Sequence, residues 1–160
     1  MTKNYLTILN AFPIEGEVVG VEPFGNGHIN DTHRVMVRET DGRERPMYVL
    51  QRINHEVFRD VETLQKNIFA VTEHIRKKLE TEGDQDVDRH VCTFLRTKSG
   101  ERYTTSEGSY WRLMLYIPGS VSVDAVTPES ARSAGRAFGD FQSRLADVPE
   151  GTLGETIPRF

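Results

Sequence analysis

A short glycine-bearing segment is the first place where this sequence carries residues suited to ligand chemistry. It separates two stretches of alternating apolar residues and reads Phe24-Gly25-Asn26-Gly27-His28-Ile29-Asn30. Glycines permit backbone conformations and a close ligand approach that side chains exclude, and the N–H groups of such a turn can hold phosphate oxygens. A plain β-hairpin with an Asn-Gly turn is the alternative interpretation. A strand follows the segment and Gly-Lys-Ser/Thr is absent, so it is neither a dinucleotide fingerprint nor a Walker loop.

One apolar and two polar residues further along the chain also suit a nucleotide cleft: Val49, Gln51 and Glu62. Val49 and Gln51 are two residues apart in a predicted strand, so their side chains share one face. In such a cleft Val49 would face adenine and Gln51 would face phosphate. Glu62 lies beside the apolar stripe of a predicted helix, from which its carboxylate can turn toward the sheet. The alternatives are a solvated Gln51 on an ordinary strand and a solvated helical carboxylate.

The segment from Trp111 to Gly119 is an apolar strand that ends in Pro-Gly, an arrangement that can leave backbone groups free at a cleft edge. A core strand followed by a turn explains it equally. The five histidines are scattered and show no metal-ligand spacing. Cys92 falls in a strand pattern and is predicted to be a small buried hydrophobe.

Strand and helix patterns place these segments in a definite order along the chain. Alternation and turn signals predict strands over residues 17–24, 29–39, 47–53, 90–97, 102–105 and 110–117. Apolar residues at helical spacing predict helices over residues 3–12, 57–80 and 128–145, the last with Thr127 as N-cap. The order predicts an α+β fold, with a mainly antiparallel sheet of about five strands packed on one long helix and with flanking N- and C-terminal helices.

Composition and charge limit the classes of function. The chain has 160 residues and a formal net charge of -4, which argues against a nucleic-acid partner bound through a global positive field. A single cysteine excludes an internal disulfide. No apolar run approaches the roughly 20 residues of a membrane span, and the N-terminus lacks the features of a signal peptide. We therefore expect a cytoplasmic domain with no nucleic-acid or membrane partner.

The segments together resemble the aminoglycoside phosphotransferase and choline kinase superfamily. A glycine-bearing hairpin, a strand with an inward polar residue, a long helix with a glutamate and an apolar strand ending in a linker follow one another as in a kinase-like N-lobe. The resemblance is closest to the N-acetylhexosamine 1-kinase subgroup and runs from about residue 17 to the end. Its more specific pieces are Gly-His-Ile-Asn at residues 27–30 and Ala-Gly-Arg-Ala-Phe-Gly-Asp-Phe at residues 134–141.

The resemblance implies a role for each candidate residue. Six residues would form the loop over the ATP phosphates: Gly25, Asn26, Gly27, His28, Ile29 and Asn30. Val49 would line the adenine ceiling and Met114 would be the gatekeeper. The carbonyl of Leu115 and the amide of Ile117 would hydrogen-bond adenine at the hinge. ATP and Mg²⁺ would be bound by the full-length protein, with a sugar as the phosphoryl acceptor.

Two departures qualify this assignment. Gln51 occupies the position where most kinases place the lysine that pairs with phosphates and with the helix glutamate, and a neutral amide cannot supply that charge. The lysine–glutamate ion pair in which Glu62 would take part is therefore absent. The catalytic loop that carries the base and the downstream metal-binding aspartate do not occur in the sequence. No catalytic or metal-binding residue is therefore assigned in this chain.

The missing motifs lead us to expect the N-terminal part of a longer kinase, inactive alone. Its predicted parts are an N-terminal helix over residues 1–16, a kinase-like N-lobe over 17–118, and a linker with the first helix of a second lobe over 119–160. An exposed second-lobe-facing surface would favour self-association. The alternative function is a non-catalytic α+β binding module. A desulfatase label, which some relatives of the subgroup carry, has no support because no Cys-x-Pro-x-Arg site is present.

Overall fold

The computed structural model describes residues 3–25, 27–121 and 125–157, and it has an α+β fold built on one six-stranded sheet. The helices are α1 (Lys3–Leu9), α2 (Val61–Thr81), α3 (Val87–His90) and α4 (Pro128–Leu145). The strands are β1 (Glu17–Pro23), β2 (Asp31–Arg38), β3 (Glu44–Ile53), β4 (Phe94–Leu95), β5 (Thr104–Ser106) and β6 (Ser109–Leu115). The predicted α+β class with a mainly antiparallel sheet is confirmed.

The sheet has the strand order β1-β2-β3-β6-β4, and β5 pairs with β6 as a short addition. All pairings of the described strands are antiparallel. The register between β3 and β6 places Gln51 opposite Arg112 and Val49 opposite Met114. This register brings together residues that are about 60 positions apart in sequence, and it creates the candidate site described below.

Helix α1 covers one face of the sheet and closes the main core. Alternation along the strands directs every second side chain to this face. The buried residues of this core are Ile8, Leu9, Phe12, Val35, Val37, Tyr48, Leu50, Trp111 and Leu113. The opposite face carries Val49, Gln51, Arg112 and Met114, the alternate residues of β3 and β6.

Helix α2 begins at Val61, four residues later than its apolar pattern predicts. The side chain of Asp60 accepts a hydrogen bond from the Thr63 amide at 2.9 Å and caps the helix. The preceding residues form a turn instead, in which Asn54 Oδ1 accepts hydrogen bonds from the amides of Glu56 and Val57. The prediction of a helix from residue 57 is therefore wrong in its first turn, because the Asp60 side chain caps the N-terminus of the helix and the helix begins at Val61.

The predicted strand over residues 90–97 is mostly wrong. Residues 87–90 form the short helix α3, and only Phe94 and Leu95 pair as a strand. Pairing stops beyond Leu95 because the Thr97 amide donates to the Glu101 carbonyl across a turn, at 2.8 Å. Cys92 precedes the short strand and is exposed, so its prediction as a buried hydrophobe is also wrong.

Helix α4 begins as its sequence predicts. Thr127 accepts from the Ser130 amide, and Ser130 in turn accepts from the Thr127 amide, with Pro128 in the first turn. No described residue of α4 is buried, and ion pairs join this end of the chain to α2. Asp147 lies 2.5 Å from Lys78 Nζ and 2.9 Å from His74 Nε2, and Arg144 lies 3.0 Å from Glu82. Among the described helices, none is long and apolar enough to cross a membrane.

Candidate functional site

The centre of the site is a hydrogen-bonded pair across strands β3 and β6. Gln51 Oε1 accepts from Arg112 Nε at 2.9 Å and from Arg112 Nη2 at 2.5 Å. Gln51 Nε2 donates to Thr32 Oγ1 on β2 at 2.8 Å, which fixes which end of the amide faces the arginine. The cation that Gln51 cannot supply is therefore present beside it, on the neighbouring strand.

Arg112 is a largely buried cation. Its guanidinium carbon lies 5.3 Å from the centroid of the Phe94 ring. Burial lowers the pKa of Arg112 to about 10, so the group remains charged at neutral pH. Its Nη1 atom is buried and has no hydrogen-bond partner among the described residues.

Sequence reasoning covered Arg112 only within the segment from Trp111 to Gly119 and gave it no role. The available signal was its spacing of two residues from Met114, which places both side chains on one face of a strand. The pairing with Gln51 is a matter of register between distant strands, and the sequence carries no sign of it.

Helix α2 turns a second polar group toward this side of the sheet. Gln65 is fully buried, and neither its Oε1 nor its Nε2 atom has a partner among the described residues. One turn later, the ring of Phe69 lies 6.1 Å from that of Phe94, the ring against which Arg112 rests. The buried polar residue of α2 is therefore Gln65, which the apolar stripe in the sequence did not reveal.

Glu62 is not brought to the site. Its carboxylate accepts from Arg102 Nη1 at 3.0 Å, and its side chain is 58% exposed. It also raises the pKa of Tyr103, after the larger effect of burial. Because Glu62 sits on the outer side of the α2 N-terminus, the structure does not place it with Gln51.

The glycine turn is open and exposed. Gly25 has φ of +80°, a conformation that favours glycine, and a Cβ at Gly25 or Gly27 would meet nothing within 4 Å. His28 and Ile29 are exposed, whereas Asn30 is tied down because its Oδ1 accepts from the Asn54 amide at 2.9 Å. Asn26, also predicted to lie in this loop, falls outside the described residues. No neighbouring atom therefore crowds the turn at Gly25 or Gly27.

Two of the predicted adenine-binding residues, Val49 and Met114, lie at the far end of the same face, whereas the Leu115 side chain packs against the core on the α1 face. Val49 is buried at 4% exposure, and Met114, opposite it, is partly buried. The linker that follows is held by backbone bonds, with the Leu115 amide donating to the Thr93 carbonyl and the Tyr116 amide to the Met47 carbonyl, each at 2.9 Å. Leu115, the last residue of β6, and Ile117, in the linker after it, are both partly buried. The structure thus brings Val49, Gln51 and Met114 together on one face.

A cavity of about 510 Å³ lies on the other face of the sheet, between the glycine turn and α1. Tyr5 and His33 line it and share a hydrogen bond of 2.9 Å between Oη and Nε2. Burial lowers the pKa of His33, so its ring is neutral at neutral pH. The Nε1 atom of Trp111 is buried there without a partner among the described residues. Sequence reasoning did not identify this cavity.

Neither a metal cluster among the described residues nor a family model points to the function of this chain. Within residues 3–25, 27–121 and 125–157, no cluster of three histidine, cysteine, aspartate or glutamate side chains is placed to hold a metal ion. No protein-family model matches the chain. The case for function therefore depends on the geometry of the site and on the order of its segments.

Proposed function

We propose that this chain is the nucleotide-binding N-terminal part of an ATP-dependent small-molecule kinase of the cytoplasm, with a kinase-like N-lobe fold. The observation that carries the proposal is the convergence of Val49, Gln51 and Met114 on one sheet face, with the buried cation Arg112 bonded to Gln51. An open glycine turn borders the Gln51 end of this face. Adenine would lie against the apolar residues, and the phosphates would lie toward the cation and the turn.

The proposed chemistry of this part is positioning and charge neutralisation. Phosphoryl transfer depends mainly on holding the phosphates in place and on stabilising their charge. A charged arginine beside an open turn with free space is suited to a polyphosphate. Mg²⁺ would be held by groups other than the described residues, and no step is assigned to it here. The proposed acceptor is a sugar, of the N-acetylhexosamine type at its anomeric hydroxyl.

Two measurements test this proposal separately. One is the binding of ATP by the 160-residue chain, and the other is phosphoryl transfer by the protein that the full reading frame encodes. The 160-residue chain should bind ATP more tightly than adenosine, as measured by isothermal titration calorimetry at low ionic strength. The full reading frame should transfer phosphate from ATP to a sugar in a panel that also contains amino alcohols and aminoglycosides. Absence of any acceptor in that panel would count against the kinase, and absence of ATP binding would overturn the proposal.

A non-catalytic binding module is the second candidate, and the separation of Glu62 from Gln51 favours it. Glu62 pairs with Arg102, so the lysine–glutamate ion pair of typical kinases has no counterpart made from these two residues. ATP binding by the full reading frame, without transfer to any acceptor, would favour this second candidate.

A further inference from the structure

Arg112 differs from the other buried or half-buried arginines in the chemistry of its partner. Its Nε–Nη2 edge is occupied by the neutral oxygen of Gln51. Arg96 is more exposed, at 42% of its side chain, but it offers a comparison because its guanidinium carbon lies 4.7 Å from the Phe69 ring much as that of Arg112 lies over Phe94. Arg96, however, pairs with the carboxylate of Glu73 at 3.0 Å. Among the described ion pairs, none neutralises Arg112.

A buried cation without a counter-ion is unfavourable, and a bound anion relieves the penalty. The charge persists at neutral pH because the pKa of Arg112, although lowered by burial, is about 10. Its other edge, formed by Nη1 and Nη2, is the one left for two parallel hydrogen bonds to an oxyanion. Nη1 is covered by protein, so anion binding should be accompanied by a local rearrangement around this side chain.

Gln51 orients the arginine without competing for an anion. Its amide is fixed by Thr32 on one side and accepts both Nε and Nη2 on the other. A lysine at this position would place a second cation beside Arg112, which the low-dielectric surroundings disfavour. A neutral residue at position 51 of β3 therefore suits a cation at position 112 of β6.

We propose that Arg112 is the cation that binds the polyphosphate of the nucleotide, with Gln51 as its positioning residue. Thr32 and Gln51 form the second residue pair of β2 and β3 counted from the glycine turn. A polyphosphate can therefore contact both the turn and the guanidinium. This inference rests on the proposed function and adds to it the residue that supplies the charge.

The test compares three probes on the 160-residue chain: ATP, adenosine and inorganic tripolyphosphate. Arg112→Gln should weaken ATP and tripolyphosphate binding by about tenfold or more, with adenosine affinity unchanged. Arg96→Gln is the matched control, since it removes an arginine stacked on a phenylalanine of the same cluster, and it should leave all three affinities within about twofold. Circular dichroism verifies that each variant is folded.

A charge swap keeps the test decisive if Arg112→Gln does not fold. The double variant Gln51→Lys/Arg112→Gln moves the cation from β6 to β3, one rung partner away. It should bind tripolyphosphate detectably, although more weakly than the wild type does, and a folded double variant that does not bind it would count against a cation-dependent anion site. Arg112→Lys keeps the charge and loses the planar fork, and should lie between the wild type and Arg112→Gln.

The outcomes separate this inference from the proposed function. ATP binding that is unchanged in Arg112→Gln would overturn the role of Arg112 and leave nucleotide binding standing. Suppose that tripolyphosphate binding depends on Arg112 but ATP binds no more tightly than tripolyphosphate. This result would support an anion site at Arg112 and contradict the proposal that its ligand is a nucleotide. Failure of both ATP and tripolyphosphate to bind would overturn both.

Discussion

Replacing Gln51 with leucine removes the acceptor of two hydrogen bonds from the Arg112 guanidinium and puts an apolar side chain of similar size in its place. Arg112 loses its partner at 2.9 Å and 2.5 Å and keeps its charge, although its Nη1 atom is already buried without a partner among the described residues. A hydrogen bond to a charged group contributes about 1.5–3 kcal/mol. Stranding a buried charge costs about 3–5 kcal/mol when no water replaces the partner. Because Arg112 is only partly buried as a whole residue, we expect a loss of about 2–4 kcal/mol in the free energy of unfolding.

A double-mutant cycle isolates this interaction from the loss of packing. Urea denaturation followed by circular dichroism gives the free energy of unfolding of the wild type, Gln51→Leu, Arg112→Met and Gln51→Leu/Arg112→Met. The double variant should be less destabilised than the sum of the single variants by at least about 1 kcal/mol, because removing both partners leaves no orphaned charge. In thermal melts the single Gln51→Leu change should lower the midpoint by roughly 5–15 °C. Additive effects, or a loss below about 0.5 kcal/mol for Gln51→Leu, would refute the account of a charge held by a neutral partner.

Four further predictions concern the scaffold. Asp60→Ala should destabilise the chain by about 1 kcal/mol in urea denaturation, because it removes the N-cap of α2; Asp60→Asn is the control, and an equal loss in both would contradict the capping role. Gly154→Ala should lower the melting midpoint, because the added Cβ would lie 2.5 Å from Thr63 Cγ2; an unchanged midpoint would show that this contact gives way freely. The salt bridges of Asp147 hold its pKa at about 2, chiefly through Lys78, so their stabilisation is complete above the ordinary value of 3.8 and is lost as pH falls toward 2. Asp147→Asn should flatten the stability curve over that acid range, and an identical curve would contradict the assignment. The exposed ring of Phe138, 71% accessible on α4, should promote self-association; light scattering should detect larger species that Phe138→Glu reduces, and a strictly monomeric wild type at high concentration would remove the idea.

Periodicity was sufficient for the body of each long element. The predicted helix over residues 57–80 holds Ile75 and Leu79, which are buried in α2, and Thr127 was predicted as the N-cap of α4 and caps it. The ends and edges were less predictable. The start of α2 is decided by a single side-chain bond from Asp60, and β4 is only two residues long because a turn at Thr97 diverts the backbone.

The centre of the site required the three-dimensional pairing. Val49, Gln51 and Met114 could be assigned to a common face from alternation and resemblance, and the register of β3 with β6 agrees with that placement. Arg112 and Gln65 could not be assigned a role. Arg112 is a charged residue in an apolar strand and Gln65 is a polar residue on an apolar helix face, so hydrophobic patterning alone does not predict that either is buried. Only the fold shows that polar atoms of both side chains are turned inward.

Mapping of ATP on the sheet by nuclear magnetic resonance tests the central claim most directly. The 160-residue chain, labelled with ¹⁵N, is titrated with ATP, and amide and side-chain shifts are followed at each face of the sheet. The account predicts that the largest changes fall on Gly27, Gln51, Arg112 and Met114. Changes that cluster instead around Tyr5, His33 and the indole of Trp111, in the cavity on the opposite face, would contradict it.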